Sequence, residues 1–85
     1  LEKPINQYYI QMGKYVKNKR NSLDMKQAEL AEYAGLSDRY ISKLENGKKR
    51  PLFETLHKIC IALEIDVNDL MDYLYQYKEC LYDDE

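Results

Sequence analysis

The residues best suited to meeting a chemical partner lie between Leu36 and Pro51. Leu36, Ile41 and Leu44 recur at near-helical spacing, which turns Ser37, Asp38, Arg39, Ser42 and Lys43 outward. All five carry hydrogen-bonding groups. A planar guanidinium such as that of Arg39 can grip O6 and N7 of a guanine, and a carboxylate such as that of Asp38 can accept from the N4 amine of a cytosine. Directly downstream, Lys48, Lys49 and Arg50 make a basic loop ahead of Pro51. Catalysis finds less support. His57 is the single histidine, with no Ser, Cys or Asp set around it as a triad, and it reads as a helix-surface or boundary residue. Three glycines cannot build a phosphate-cradling loop, and Cys60 and Cys80 lack Cys-x-x-Cys spacing. No enzyme activity, metal site, disulfide framework or cofactor is expected. Cys60 reads as a buried thiol.

Five helices are expected to hold these residues, with no strand, because no apolar and polar alternation of useful length occurs. The first runs from about Asn6 to Asn21, with Asn6 as its cap, Ile5 and Ile10 as a staple, and Tyr9, Met12 and Val16 following at helical spacing. The second covers Gln27 to Ala34 and closes at Gly35, which tolerates the left-handed conformation. Ser37 caps a third that reaches Leu44 or Glu45, where Asn46 and Gly47 turn the chain. The fourth, about Leu52 to Leu63, places Leu56, Ile59, Cys60 and Leu63 on one stripe. Asp66 opens the fifth, which the pattern carries to Leu81 or Tyr82.

The second and third helices, joined through Gly35, form a helix-turn-helix whose second helix can enter a major groove about 12 Å wide. Ala31 and Ala34 keep the crossing close, and Leu30, Leu36, Ile41 and Leu44 bury the pair. The net charge of −2 argues at first against a nucleic-acid partner. Its distribution reverses that argument. Residues 1–50 hold 11 Lys and Arg against 6 Asp and Glu, a balance of +5, whereas residues 51–85 hold 2 against 9, a balance of −7. Eighty-five residues make one modest core, and no stretch approaches the roughly 20 apolar residues of a membrane span. A cytoplasmic protein with no membrane partner is expected.

Residues 17–53, reading KNKRNSLDMKQAELAEYAGLSDRYISKLENGKKRPLF, resemble the Cro-type (lambda-repressor-like, XRE) helix-turn-helix family of prokaryotic and phage transcriptional regulators. The QAELA start, Gly35, the ISKLENG run and the basic loop to Pro51 fall in register, and the resemblance covers about Gln11 to Leu70. It implies an all-α, five-helix lambda-repressor-like DNA-binding domain. It implies that Ser37, Asp38, Arg39, Ser42 and Lys43 approach base edges or the nearby backbone. Phosphates would be held by Lys26, Gln27, Asn46, Lys48, Lys49 and Arg50, helped by Tyr40 and by backbone N–H groups at the start of the next helix. Arg20 and Glu45 match a family pair joined by an ion pair beneath the DNA surface, a structural role. Asp38 also suits a helix N-terminus, and Tyr40 could touch sugar or phosphate or simply pack. Asp24 occupies a turn position often held by Gly.

Residues 1–70 are thus expected to be the DNA-binding domain, and 71–85 an extension with an acidic end. Leu70, Leu74, Tyr77 and Leu81 are spaced 4, 3 and 4 apart, a coiled-coil-like seam expected to form a homodimer interface on an extended C-terminal helix. The alternative is that this helix packs on its own domain. A dimeric repressor on a palindromic double-stranded DNA operator is the expected function. The alternatives are a DNA-binding antitoxin, whose tail would meet a toxin or other protein partner, and a restriction-modification controller protein.

Overall fold

In a computed structural model, residues 6–82 are described; Ile5, half of the expected staple, lies outside them. Helix α1 spans Gln7–Ser22, α2 Gln27–Ala34, α3 Asp38–Glu45, α4 Phe53–Leu63 and α5 Val67–Leu74, followed by a 3-10 helix over Tyr75–Tyr82. No strand occurs among the described residues.

The helix ends have local causes. Asn6 Oδ1 accepts from the Tyr8 N–H at 2.8 Å, Ser37 Oγ from the Tyr40 N–H at 3.0 Å, and Asp66 Oδ1 from the Asn68 N–H at 2.8 Å. Gly35 closes α2 at φ 68°, so that the Leu36 N–H reaches back to the Ala31 carbonyl at 2.8 Å. Two non-glycine residues adopt the same hand, Asp24 at φ 52° and Glu64 at φ 56°. Glu64 ends α4 in the left-handed conformation because the Ile65 N–H bonds the Cys60 carbonyl at 2.8 Å and turns the chain into α5.

One part of the core joins Val16 of α1, Leu30, Ala31 and Ala34 of α2, Ile41 and Leu44 of α3, and Ile59 and Leu63 of α4. The other joins Met12, Leu56, Cys60, Leu70 and Leu74. Where α1 crosses α3 the spacing is set by Gly13, since a Cβ there would strike the Leu44 carbonyl oxygen and lie 2.8 Å from that of Glu45.

The C-terminal segment departs from the expected long helix. The α-helical ladder stops at Leu74, and the backbone tightens to 3-10 geometry through Tyr82. Tertiary contacts account for the change. The Gln76 amide takes the Tyr73 carbonyl at 2.9 Å, Tyr77 packs against the second part of the core with its ring 6.1 Å from that of Tyr73, and Asn6 Nδ2 donates to the Cys80 carbonyl at 2.8 Å. The expected dimer seam is corrected accordingly. Leu70 and Leu74 are 0% exposed within their own domain, Tyr77 is half-buried there, and Leu81 no longer follows them at α-helical spacing, leaving no continuous outward stripe. Residues 71–82 also share the core with the preceding helices rather than standing apart.

Candidate nucleic-acid interface

The candidate interface is built on α3. Its buried face is Ile41, Leu44 and Glu45, which leaves Ser37, Asp38 and Arg39 exposed and Ser42 and Lys43 half-exposed. The Ser37 oxygen already caps the helix, so its hydroxyl proton is what it can offer a partner. Tyr40 is half-buried, packs against the core and has its phenol pKa pushed up by burial. Lys49 Nζ lies 5.3 Å from the centre of the Tyr40 ring. Ser37, Arg39, Tyr40, Lys43 and Lys49 together line a shallow depression of about 180 Å³. Three cations thus converge over an aromatic floor, an arrangement suited to an anionic oxygen.

The loop after α3 has a defined shape. Asn46 ends the helix and is exposed, and Gly47 sits at φ 76°. A side chain there would meet the Ile10 backbone 2.8 Å away, so glycine permits both the turn and the approach to α1. Lys48 and Arg50 are exposed, and the Arg50 guanidinium lies 5.2 Å from the Tyr9 ring centre on α1. Leu52 supplies no side-chain cap to α4, so the first N–H groups of that helix have no side-chain acceptor and can meet a phosphate.

Behind this face, Arg20 and Glu45 make a two-pronged ion pair, Nε to Oε2 at 2.7 Å and Nη2 to Oε1 at 3.0 Å. The hydrogen bond from Glu45 holds the Arg20 guanidinium pKa above its ordinary value, against the opposing effect of burial. Arg20 Nη1 also donates to the Met25 carbonyl at 2.7 Å, and Gln27 Nε2 donates to Glu45 Oε1 at 2.9 Å. The pair therefore ties α1 to α3, fixes the turn before α2, and holds the half-buried Gln27 amide at the start of α2 beside the exposed Lys26.

Two residues of this region were not singled out by sequence reasoning. Tyr9 read only as part of an apolar helix face, yet it carries the Arg50 contact. Gly13 gave a usable signal, a glycine inside a strong helix, where it costs about 1 kcal/mol relative to Ala unless something needs the space.

A short helix, a left-handed glycine turn and a second helix with a polar outward face define a helix-turn-helix domain of the kind that presents one helix to DNA. The chain belongs to the XRE-type helix-turn-helix family, whose model, described as Helix-turn-helix, matches residues 16–70. It is 39% identical over 59 residues to the ImmF control region 10 kDa protein of Bacillus phage phi105, covering 69% of this chain and 66% of that protein. It is 38% identical over 53 residues to the cryptic phage CTXphi transcriptional repressor RstR of Vibrio cholerae, covering 62% of this chain and 47% of the repressor. The chain thus spans just under two thirds of the first relative and about half of the second. Among solved structures it superposes on the clp gene regulator ClgR of Corynebacterium glutamicum with TM-score 0.78 and 28% identity, covering 89% of this chain and 97% of that one. The restriction-modification controller protein C.AhdI of Aeromonas hydrophila, at TM-score 0.70 and 24% identity over 73% of this chain and 94% of its own, shares the fold.

Among the described residues no group of three or more His, Cys, Asp or Glu converges on a metal position, and no helix is long and apolar enough to cross a membrane.

Proposed function

We propose that this chain is a sequence-specific transcriptional regulator, a repressor, that binds palindromic double-stranded DNA as a homodimer in the cytoplasm and acts by binding rather than catalysis. The observation that carries this reading is the juxtaposition of the outward face of α3 with the cations of residues 48–50 on one surface. Regulator and repressor relatives support it. In this reading Arg39 and its neighbours Ser37, Asp38, Ser42 and Lys43 address base edges. Lys26, Gln27, Tyr40, Asn46, Lys48, Lys49 and Arg50 address the phosphate backbone, which positions the helix without reading sequence.

Selecting bound sites from a random duplex library tests DNA binding and half-site symmetry together. On the selected site, Arg39→Ala should lose about 1–3 kcal/mol per half-site and relax discrimination at one base pair. Lys49→Ala should weaken all duplexes alike and flatten the dependence of log affinity on log salt by about one unit. Equal losses on cognate and scrambled DNA for Arg39→Ala, with only the salt slope altered, would make Arg39 a phosphate ligand. Failure to enrich any sequence would refute specific binding altogether.

A further inference from the structure

We propose that the exposed face of α4 formed by Leu52, Phe53, His57 and Ile61 is the two-fold contact between two copies of this chain. The inference rests on the dimeric DNA-binding reading and replaces the C-terminal seam that the fold has buried. Leu52 is 78%, Phe53 65% and Ile61 66% exposed, and Phe53, His57 and Ile61 follow one another at four-residue spacing along one side of the helix. The Phe53 and His57 rings lie 5.8 Å apart, so the stripe is continuous. Other exposed aromatics are less suited. Tyr33 stands apart on α2, and Tyr75 is covered by its own neighbour, with Lys78 Nζ 4.0 Å from its ring centre and 2.8 Å from its hydroxyl.

Three features select a second copy as the occupant. A two-fold axis near His57 sets the two α4 helices antiparallel, so that Phe53 of each copy faces Ile61 of the other. The stripe is flanked by Glu54 and Lys58, one turn apart and 3.5 Å from each other, opposite charges that a reversed second helix can also match. The four side chains expose on the order of 400 Å² per copy, half of the roughly 800 Å² that each partner of a standard stable interface buries. Such a contact is weak in free solution and completed on DNA. Finally, Leu52 and Phe53 directly follow the Lys48 to Arg50 loop, and the domain measures 34 × 28 × 21 Å. Copies joined side by side at α4 have centres about one domain width apart, which suits half-sites one helical turn, about 34–36 Å, from each other.

The test compares the full chain with Ile61→Lys, a fully helix-compatible change at an exposed position, and with Tyr75→Lys as a control, circular dichroism verifying the fold of each. Sedimentation equilibrium at high micromolar concentration and binding to single half-sites and to the palindrome are measured. The parent should self-associate and fill the palindrome cooperatively. Ile61→Lys should stay monomeric, keep its half-site affinity within about twofold, and lose at least about tenfold on the palindrome. Tyr75→Lys should behave as the parent. Self-association that survives in Ile61→Lys, its loss in Tyr75→Lys, or a parent that is monomeric and non-cooperative overturns the α4 contact. A parent that self-associates through α4 yet binds no duplex refutes the DNA-binding reading and leaves the contact standing.

Discussion

Removing the Arg20 side chain should damage this fold more than any surface substitution. The side chains of Arg20 and Glu45 are 10% and 2% exposed, and the carboxylate accepts from Arg20 Nε at 2.7 Å, Arg20 Nη2 at 3.0 Å and Gln27 Nε2 at 2.9 Å. Arg20→Ala leaves a buried carboxylate with the Gln27 amide alone, an orphaned charge that costs about 3–5 kcal/mol. The Met25 carbonyl loses its 2.7 Å partner at the same time, which adds to the same side. For a domain of this size each kcal/mol moves the melting temperature by about 4–8 °C, so thermal unfolding should fall by at least about 12 °C, and urea titration should give the free-energy loss directly. Replacing both partners with apolar residues, Arg20→Met with Glu45→Leu, removes the orphaned charge and should recover most of the stability. That doubly substituted chain should still bind DNA more weakly, by about 1 kcal/mol, because Gln27 has lost the group that aims it. A single Arg20→Ala variant within about 0.5 kcal/mol of the parent, the range of ordinary surface changes, would refute the reasoning.

Gly13→Ala should destabilise by about 1–3 kcal/mol despite improved helix propensity, because the new methyl meets the backbone carbonyls of Leu44 and Glu45; a more stable variant in urea titration would show that α1 and α3 do not cross so closely. Burial pushes the phenol pKa values of Tyr8, Tyr15 and Tyr40 up, Tyr9 reinforcing the effect at Tyr8 and Asp69 at Tyr15. Since the folded values exceed the unfolded value near 10, the folded chain holds protons that the unfolded chain releases. Stability is therefore retained below that value and lost as pH rises through the folded ones, so urea midpoints should decline between about pH 9 and 11, and midpoints that rise there would contradict the burial of these rings.

Much of the fold was legible because its signals are local. Asn6, Ser37 and Asp66 cap helices through oxygens that reach N–H groups two or three residues on, and Gly35 closes α2 with bonds inside one turn. These geometries need no other part of the chain, so residue type and spacing sufficed. The apolar stripe of Leu56, Ile59, Cys60 and Leu63 and the outward set on α3 follow from the same periodicity. The family resemblance then located Arg20 opposite Glu45, a pair 25 residues apart that spacing alone does not join.

Sequence by itself therefore determined the number of helices, their capped ends up to α5 and the side of α3 that faces outward, since each depends on interactions within about four residues. Tertiary structure decided the rest. The seam of Leu70, Leu74, Tyr77 and Leu81 satisfied a helical period, but a period cannot say whether an apolar stripe meets another chain or its own core. Burial of Leu70 and Leu74, the Asn6 bond to the Cys80 carbonyl and the packing of Tyr77 drew the segment onto its own domain and tightened it past Leu74. Likewise, Arg50 over Tyr9 and Gly13 beneath α3 join positions more than thirty residues apart. Local periodicity carries no information about such distant pairs, and only the folded chain brings them within contact.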